Sequence, residues 1–350
     1  MNVQAIIFEK ENQVGHGIYA LPEVGPGQLL TETKYTFVSP GTELRVLAGH
    51  YGAAGNFPLI PGYCPVSEVI DIGPEVNGFR KGDLIAFTPD PSPAVSPQGV
   101  HSHWGGQASH HLVPVATHPV VLPREADPLD YVFTEVAAIS LRGATAAQPE
   151  SGEMAVVIGQ GAIGAFSAGW LAAAGCRVVT VDLSDYRLKR SEGYGAGATV
   201  NAGDPDVVER IRALTGGGAD IVVESSGVAA GVELAHQLLR KRPEAFRSPL
   251  SSALGKWPRL VYQANYLDTV PINAHDYFAG EGVVVLTPTD RGLEDRVRCV
   301  ERLRQGNLNT RAFIDRILPV NEAPGAYADL RDNKDTVSTV VFDWQGKGTS

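Results

Sequence analysis

Two different spacings of hydrophobic residues divide the chain. In residues 1–123, short apolar runs are separated by turns that contain Gly and Pro, a pattern typical of antiparallel β-strands in a barrel-like arrangement. From about residue 130, apolar runs of strand length alternate with helical segments. This alternation predicts a parallel sheet with helices on both faces. Residues 336–344 are strand-like again and are expected to rejoin the N-terminal region.

The predicted elements follow this division. In the first region, strands are predicted at residues 3–8, 67–72, 84–87 and 111–114, and a long surface loop is predicted at 88–106. In the second region, strands are predicted at 155–158, 177–182, 198–201, 220–224, 259–263 and 282–286, and helices at 135–148, 162–174, 207–214 and 293–305. We therefore expect an α/β protein with two domains: a β-rich domain of residues 1–123 and 308–350, and a doubly wound Rossmann domain of residues 124–307.

The composition excludes several classes of protein. The 350 residues are 43% hydrophobic and 19% charged, which is ordinary for a globular protein. The formal charge of −10 would repel a phosphate backbone, so no nucleic-acid partner is expected. The three cysteines are widely separated, which fits no disulfide framework and indicates a reducing, cytoplasmic compartment.

Neither a membrane span nor a secretory signal is expected. Residues 154–176 carry no charge, but they contain several glycines and begin with a β-type run. This pattern predicts a buried strand and a buried helix rather than a membrane span. The N-terminus lacks a basic segment followed by a long apolar run, so it does not resemble a secretory signal.

A glycine-rich turn follows the first predicted strand of the second domain. Gly159, Gly161 and Gly164 have the G-x-G-x-x-G spacing, and Ala162 and Ile163 open the predicted helix. In a dinucleotide site, the first glycine permits a tight turn, the second admits the pyrophosphate, and the third lets the helix pack closely. The free N–H groups of the helix N-terminus would bind the phosphates. The alternative is a glycine-rich turn of another α/β fold.

An acidic residue ends the next predicted strand. Asp182 lies 23 residues after Gly159, where its carboxylate would accept hydrogen bonds from the adenosine ribose and repel a 2′-phosphate. This position predicts NAD as the cofactor. Arg187 follows five residues later and could stack on adenine or pair with a phosphate, so NADP is the alternative.

Several segments together resemble the medium-chain dehydrogenase/reductase superfamily over nearly the whole chain. The segments are Gly41-Thr42-Glu43, the Pro-Gly-Tyr run ending at Tyr63, residues 69–87, Gly105-Gly106-Gln107-Ala108 and Ser225-Ser226-Gly227. The resemblance implies a GroES-like catalytic domain and a Rossmann domain. It also implies cofactor contacts at Thr145, Gly159, Gly161, Ala162, Ile163, Gly164, Asp182, Arg187, Ser225, Ser226, Ala264 and Leu286.

The same resemblance implies a homodimer. In this superfamily the last Rossmann strand commonly pairs with its mate in a second subunit, and residues 282–286 would be that strand. A continuous apolar edge strand is a liability unless it is paired, and a closed two-fold dimer pairs it.

The sequence departs from the zinc enzymes of the superfamily. Their catalytic zinc ligands match Pro40, Tyr63 and Arg142 here, none of which suits zinc in that arrangement. The four-cysteine structural zinc lobe has no counterpart, because residues 88–111 contain no cysteine. The sequence therefore predicts no bound metal.

Histidines leave a non-standard metal site as the alternative. His50, Cys64 and one loop histidine could form such a site. The loop histidines are His101, His103, His110 and His111. We interpret them as part of a solvated loop and an edge strand.

Without zinc, proton transfer needs side chains that can hold and release a proton. Thr42 matches the threonine that relays this proton in the superfamily, Tyr63 could be a phenolic donor, and His50 could relay the proton to solvent. The alternatives are a packed core tyrosine at position 63 and a surface histidine at position 50.

The negative charge that forms on the substrate oxygen also needs a partner. Arg142 lies in a small-residue stretch that is expected beneath the nicotinamide, and its guanidinium could stabilise this charge in place of a metal. The alternative is that Arg142 pairs with a structural carboxylate, for instance that of Glu43 or Glu135.

The observations together predict an NAD-dependent oxidoreductase that transfers hydride between nicotinamide and a secondary alcohol or ketone. The Ser-Pro-Gly-Thr-Glu and Pro-Gly-Tyr segments resemble a branch that includes sugar, cyclitol and bacteriochlorophyllide dehydrogenases. This implies a small-molecule substrate that is a polyol, a cyclitol, a sugar or a bulky hydroxylated compound. One alternative is a quinone or enoyl reductase, since these relatives also lack zinc. A second is a non-catalytic dinucleotide-binding protein.

Overall fold

The computed structural model describes residues 1–50, 56–89, 100–241, 257–267, 269–270, 272, 274, 282–288 and 290–346. The chain forms two compact units, one of Met1–Glu135 with Arg296–Ser350 and one of Val136–Asp295. The sequence prediction assigns residues 124–135 and 296–307 to the Rossmann domain, whereas these segments cluster with the β-rich unit. In that unit, Phe133 packs against Phe37 and Phe313, and Arg296 donates to Glu135. The functional domain boundaries stay a prediction.

The strands are β1 (Asn2–Lys10), β2 (Gln13–Ala20), β3 (Gln28–Val38), β4 (Leu59–Ile60), β5 (Pro65–Ile72), β6 (Leu84–Ala86), β7 (His101–Ser102), β8 (His110–Pro114), β9 (Val120–Val121), β10 (Met154–Ile158), β11 (Arg177–Asp182), β12 (Ala196–Asn201), β13 (Ile221–Glu224), β14 (Arg259–Tyr262), β15 (Val284–Leu286), β16 (Arg316–Pro319) and β17 (Val340–Asp343). The helices are α1 (Pro40–Leu47), α2 (Thr134–Ala146), α3 (Ala162–Ala173), α4 (Asp185–Ser191), α5 (Val207–Thr215), α6 (Ala229–Leu238), α7 (Leu293–Arg304) and α8 (Ala323–Asp332). Residues 90–99 of the predicted surface loop lie outside the described part.

The β-rich unit contains two sheets. One has the strand order β2-β1-β4-β7, and the other has the order β16-β17-β3-β5-β6-β9, with β8 also paired to β3. The long strand β3 pairs antiparallel with β5, β8 and β17 and so ties the sheet together. Because β17 comes from the C-terminal segment, the prediction that the tail rejoins the N-terminal region is confirmed.

The core of the β-rich unit forms where helices α1 and α8 pack against strands. Phe8 of β1 meets the ring of Tyr327 edge-on, with centroids 5.1 Å apart, and Phe342 of β17 lies beside the same tyrosine. All three side chains are fully buried. Val46 and Leu47 of α1 belong to the same cluster. Helix α1 is thereby held against the core, and its N-terminal turn has a defined position within this unit.

The second unit contains a six-stranded sheet with the order β12-β11-β10-β13-β14-β15. Every described pairing in it is parallel. Numbered from the first strand of the unit, this is the order 3-2-1-4-5-6 of a doubly wound Rossmann sheet, so the predicted fold class is confirmed. The order reverses between β10 and β13, and ligands bind outside the carboxyl ends of the strands at such a point.

The strands of the parallel sheet are buried on both faces. Residues of β10 and β13 such as Val156, Val157 and Val222 have no exposed surface, as expected when helices cover both sides of a sheet. Helix α3 is apolar around much of its circumference for the same reason, with Phe166, Ala168 and Leu171 fully buried or nearly so. Among the described residues, no helix is long and apolar enough to cross a membrane.

Candidate functional site

The glycine-rich turn connects β10 to α3 at the reversal point of the sheet. Gly159 follows the last residue of β10, has φ of +86°, and donates its N–H to the carbonyl oxygen of Val181 at 2.7 Å. A positive φ of this size favours glycine, since other residues adopt it only with strain. Gly161 is the N-cap of α3, which begins at Ala162. The spacing that predicted a strand, a tight turn and a helix therefore has the predicted local structure.

The space around the α-carbon differs among Gly159, Gly161 and Gly164. A Cβ added at Gly164 would lie 1.8 Å from the carbonyl oxygen of Gly159, and one added at Gly159 would lie 2.8 Å from the backbone nitrogen of Ser226. Both positions are therefore closed to any side chain. At Gly161, by contrast, an added Cβ would meet no atom within 4 Å. The open space stands over the N-terminus of a 12-residue helix, whose first N–H groups lack partners within the helix and favour anions.

The carboxylate of Asp182 is held in one orientation at the end of β11. One oxygen accepts the backbone N–H of Gln160 at 2.6 Å, and the other accepts that of Ser184 at 2.9 Å. The side chain of Arg187 pairs with it at 3.8 Å. Asp182 is 8% exposed, so the negative charge lies in a sheltered position beside the glycine turn.

Several polar atoms around this turn are buried without a protein partner in the described part of the chain. They are Gln160 Oε1, Ser184 Oγ, Arg187 Nε and Ser225 Oγ. Buried polar atoms cost free energy unless they are hydrogen-bonded, and most in native structures are. A ligand rich in hydroxyl and phosphate oxygens would supply the missing partners. The residues present therefore fit a dinucleotide.

The remaining predicted cofactor residues have less distinctive surroundings. Ser226 donates its backbone N–H to Glu224 Oε1 at 2.8 Å, and its hydroxyl bonds the same oxygen. Thr145 is exposed on α2, Ala264 is half-buried after β14, and Leu286 is half-buried at the end of β15.

Sequence reasoning missed Gln263, which follows β14. Its Oε1 is buried and without a partner among the described atoms, and its Nε2 donates to the carbonyl oxygen of Ile139 at 3.4 Å. An added Cβ on Gly143 would lie 1.6 Å from this Oε1. The glutamine therefore lies directly against helix α2. A polar residue after a buried strand was the only signal in the sequence, and such residues are common.

In the β-rich unit, Thr42 and Tyr63 belong to neighbouring segments. Thr42 is half-buried in the first turn of α1, and its backbone N–H donates to the Ser39 carbonyl oxygen at 3.1 Å. Tyr63 is 6% exposed, and its phenol oxygen lies 2.8 Å from the hydroxyl of Ser39. The Tyr63 ring also packs against Trp104, with centroids 5.3 Å apart. The serine was not among the predicted site residues, although it is the first residue of the Ser-Pro-Gly-Thr-Glu segment that carries part of the family resemblance.

Glu43 is fully buried behind this turn. Its Oε1 accepts the backbone N–H of Ser39 at 2.8 Å, and its Oε2 accepts the Tyr327 hydroxyl and, at 3.3 Å, the Nε2 of Gln107. Burial raises the pKa of the Glu43 carboxyl to about 7, and the three hydrogen bonds limit the rise. The carboxyl therefore changes its charge near neutral pH.

Two of the candidate histidines have different surroundings in the structure. His50 is exposed after α1, whereas His111 is buried and donates from Nε2 to the Gly105 carbonyl oxygen at 3.1 Å. Burial lowers the pKa of His111 to about 4, so this ring is neutral at physiological pH. The side chain of Cys64 is buried. Within the described ranges, no three His, Cys, Asp or Glu side chains are grouped to hold a metal ion.

Arg142 lies on the exposed side of α2. Its Nη1 donates to Asp295 Oδ2 at 3.1 Å, and its side chain is 44% exposed. The same Asp295 oxygen accepts the backbone N–H of Gly292 at the start of α7. The expected structural partners, Glu43 and Glu135, bond other groups: Glu135 accepts from Thr88 and Arg296.

This chain is similar to one protein-family model, to several curated proteins and to several solved structures. Residues 162–245 match the zinc-binding dehydrogenase family. An alcohol dehydrogenase of Cupriavidus necator is 23% identical over 97% of this chain and 98% of its own, and a sorbitol dehydrogenase of Halalkalibacterium halodurans is 27% identical over 66% of this chain and 73% of its own. A solved structure from Sinorhizobium meliloti 1021, bound to NADP, is 23% identical, covers 98% of this chain and 99% of its own, and superposes with a TM-score of 0.80.

Proposed function

We propose that the chain is a member of the medium-chain dehydrogenase/reductase superfamily, and that it is an NAD-dependent alcohol dehydrogenase or ketone reductase that works without zinc. One observation carries the proposal. The glycine turn leaves open space at Gly161, and an oriented, sheltered Asp182 carboxylate lies beside it. A dinucleotide needs both features, the first for its pyrophosphate and the second for its ribose.

The proposed cofactor site combines four kinds of contact. The N-terminus of α3 would bind the phosphates, and Asp182 would accept the ribose hydroxyls. The hydroxyl of Ser225 and the guanidinium of Arg187 would hydrogen-bond the dinucleotide, which accounts for their lack of protein partners in the described residues at Oγ and Nε. NAD, when bound, supplies the nicotinamide that accepts or donates hydride. The relative structure from Sinorhizobium meliloti holds NADP, so the preference for NAD rests on the charge of Asp182.

The residues at the superfamily's metal positions do not fit zinc. Proline has no donor side chain, and tyrosine and arginine are not among the ligands of the usual Cys and His arrangement. These are Pro40, Tyr63 and Arg142 here. The proposed chemistry therefore uses side chains alone.

Three side chains are proposed to handle the proton of the substrate hydroxyl. In alcohol oxidation, the Tyr63 phenolate would take this proton while hydride leaves the carbon, and in ketone reduction the phenol would return it. Thr42 would hydrogen-bond the same substrate oxygen, and His50 would exchange the proton with solvent. Arg142 is proposed to stabilise the negative charge on the substrate oxygen. Its ion pair with Asp295 is the structural alternative, which a variant tests below.

The proposed substrate is a small molecule with a secondary hydroxyl or ketone, of the polyol, cyclitol, sugar or bulky hydroxylated class. The sorbitol dehydrogenase relative supports the polyol class. The three widely separated cysteines, all of them buried, support the proposed location in a reducing cytoplasm. A homodimer joined along β15 is the proposed assembly.

A coupled assay tests the function. The purified protein would be screened against secondary alcohols, polyols and ketones with NAD(H) and NADP(H), while zinc is measured by mass spectrometry on the same sample. We expect turnover with NAD(H) and less than about one-tenth of a zinc ion per chain. Turnover that requires stoichiometric zinc would contradict the zinc-independent mechanism. Reduction of quinones or enones alone would favour the reductase alternative, and tight NAD binding without any turnover would favour a non-catalytic protein.

A further inference from the structure

The serine before helix α1 does not make the bond that its position favours. Ser39 is the N-cap of α1, where a serine hydroxyl usually accepts an N–H from the first turn. Here the side chain makes no capping bond. Its Oγ lies 2.8 Å from the phenol oxygen of Tyr63 instead. Ser39 and Tyr63 are 7% and 6% exposed, so water has little access to this hydrogen bond.

The helix start is held by other groups, which leaves the Ser39 hydroxyl available. Pro40 occupies the first turn and has no N–H to satisfy. The Ser39 carbonyl oxygen accepts the N–H groups of Thr42 and Glu43 at 3.1 and 2.8 Å. The Ser39 N–H donates to the Glu43 carboxylate at 2.8 Å. The backbone of Ser39 is thus fixed at both its N–H and its C=O.

The Glu43 carboxylate is itself anchored from two other segments of the same unit. Tyr327 of α8 and Gln107 both donate to its Oε2. Gln107 accepts in turn from Thr36 of β3 at 2.6 Å. All of these side chains are fully buried or nearly so. A connected buried network therefore leads from the core of the unit to the backbone N–H of Ser39, the residue whose hydroxyl contacts Tyr63, and such networks rigidify the groups that they contain.

We propose that Ser39 is a positioning residue for Tyr63 and that Glu43 fixes Ser39 in this role. This inference rests on the proposed function. In this role the Ser39 O–H would donate to the phenol oxygen and hold the phenol where it can exchange a proton with the substrate oxygen. During alcohol oxidation, the substrate O–H bond would break and the Tyr63 O–H bond would form, while the nicotinamide, when bound, would supply the hydride acceptor. The Ser39 proton stays on Ser39 and stabilises the phenolate before the transfer.

Three variants test the proposed role of Ser39 in catalysis. Ser39→Ala removes the hydroxyl, and Ser39→Thr keeps it and remains a good N-cap residue. Ser67→Ala is the matched control, because Ser67 is also a fully buried serine of this unit and donates to Thr33 at 3.3 Å. We expect Ser39→Ala to lower kcat about tenfold or more with KM within about twofold, as for loss of one hydrogen bond to a reacting group. Ser39→Thr should restore kcat to within about threefold of wild type, and the control should leave it unchanged.

A spectroscopic measurement tests the hydrogen bond between Ser39 and Tyr63 independently of turnover. The protein would be labelled with 3-fluorotyrosine, and the ¹⁹F resonance of Tyr63 would be identified by its absence in Tyr63→Phe. The resonance should shift in Ser39→Ala, remain near its wild-type position in Ser39→Thr and stay in place in Ser67→Ala. If Ser39→Ala fails to fold, Ser39→Gly removes the same hydroxyl with a residue tolerated at N-caps.

The two measurements separate the possible failures. An inactive wild-type protein would overturn the proposed function and with it the role of Ser39 in catalysis, whereas the ¹⁹F shift would still report the contact. Normal kcat in Ser39→Ala would overturn the positioning role alone. An unchanged Tyr63 resonance in the same variant would overturn the contact itself.

Discussion

An added Cβ at Gly164 would lie 1.8 Å from the carbonyl oxygen of Gly159, at the opposite end of the same turn. Helix α3 and strand β10 therefore approach each other as closely as two backbones allow. This distance explains why two glycines of the motif are structural. The third, Gly161, borders open space and is the one proposed to admit the pyrophosphate.

The first prediction separates these two roles. Gly161→Ala should leave the unfolding free energy within about 0.5 kcal/mol of wild type, because nothing lies within 4 Å of the new methyl group. It should weaken NAD binding about tenfold or more, because the methyl group occupies the path of the pyrophosphate. Gly164→Ala should instead lower the unfolding free energy by about 1–3 kcal/mol through overpacking. Urea unfolding measures the change in stability, and calorimetry measures the change in NAD affinity. Equal loss of stability in the two variants would contradict a ligand-binding role for Gly161 and a packing role for Gly164.

The second prediction concerns the choice of cofactor. The wild-type protein should bind NAD(H) at least about tenfold more tightly than NADP(H), a difference of about 1.4 kcal/mol, because Asp182 repels the 2′-phosphate. Asp182→Asn keeps the shape and removes the charge, so it should reduce this preference about tenfold. Asp185→Asn is the control, since Asp185 is an exposed acid three residues away. Equal wild-type affinities for the two cofactors by calorimetry would refute the role of Asp182.

The third prediction concerns pH and Glu43. Burial raises the pKa of this carboxyl from 4.5 to about 7, so the folded state binds its proton more tightly than the unfolded state does. The contribution of this bound proton to the free energy of unfolding is therefore complete below pH 4.5 and is lost as the pH rises through 7. Glu43→Gln mimics the protonated carboxyl and does not titrate. Between pH 4.5 and 8, wild type should lose stability relative to this variant by on the order of 3 kcal/mol, from about 1.36 kcal/mol per pKa unit.

Urea unfolding of both proteins across this range gives the measurement. The buried His111, whose pKa is lowered to about 4, titrates in both proteins and cancels in the difference. Parallel curves of unfolding free energy against pH would show that the Glu43 carboxyl keeps its ordinary pKa.

The fourth prediction distinguishes the two roles of Arg142. If the guanidinium stabilises the substrate oxygen, Arg142→Ala should lower kcat by roughly a hundredfold with NAD affinity little changed. Asp295→Asn breaks the same ion pair but leaves the guanidinium in place, and it should keep kcat near that of wild type. Because the pair is half-exposed, its loss should change the unfolding free energy by at most about 1 kcal/mol. Near-normal kcat in a folded Arg142→Ala protein would leave the ion pair as the only role of this residue.

The fifth prediction concerns assembly. Strand β15 is the outermost strand of the described parallel sheet, and Val285 is 38% exposed on it. We expect a dimer of twice 37.2 kDa by light scattering at micromolar concentration. Val285→Lys should favour the monomer, because a charged residue on an edge strand opposes pairing. A monomeric wild-type protein would contradict the proposed dimer.

The sequence alone determined the features that depend on neighbouring residues. The turn from Gly159 to Gly164 was predictable because a tight turn, a close helix and an open phosphate site are set by residues within one segment. The parallel sheet with helices on both faces followed from the alternation of strand and helix patterns, whereas the order of its strands is seen only in the structure.

The tertiary structure alone decided which distant side chains meet. Tyr327 reaches Glu43 from 284 residues away in the chain, and Asp295 reaches Arg142 from 153 residues away. No local pattern encodes such pairs, because they depend on how helices and strands from separate segments pack. The partner of the Ser39 hydroxyl is likewise decided by the tertiary structure, although Tyr63 is only 24 residues away in the chain. A serine at the N-cap of α1 would ordinarily cap the helix, but the buried Tyr63 from another segment competes for its hydroxyl, and only packing determines which bond forms.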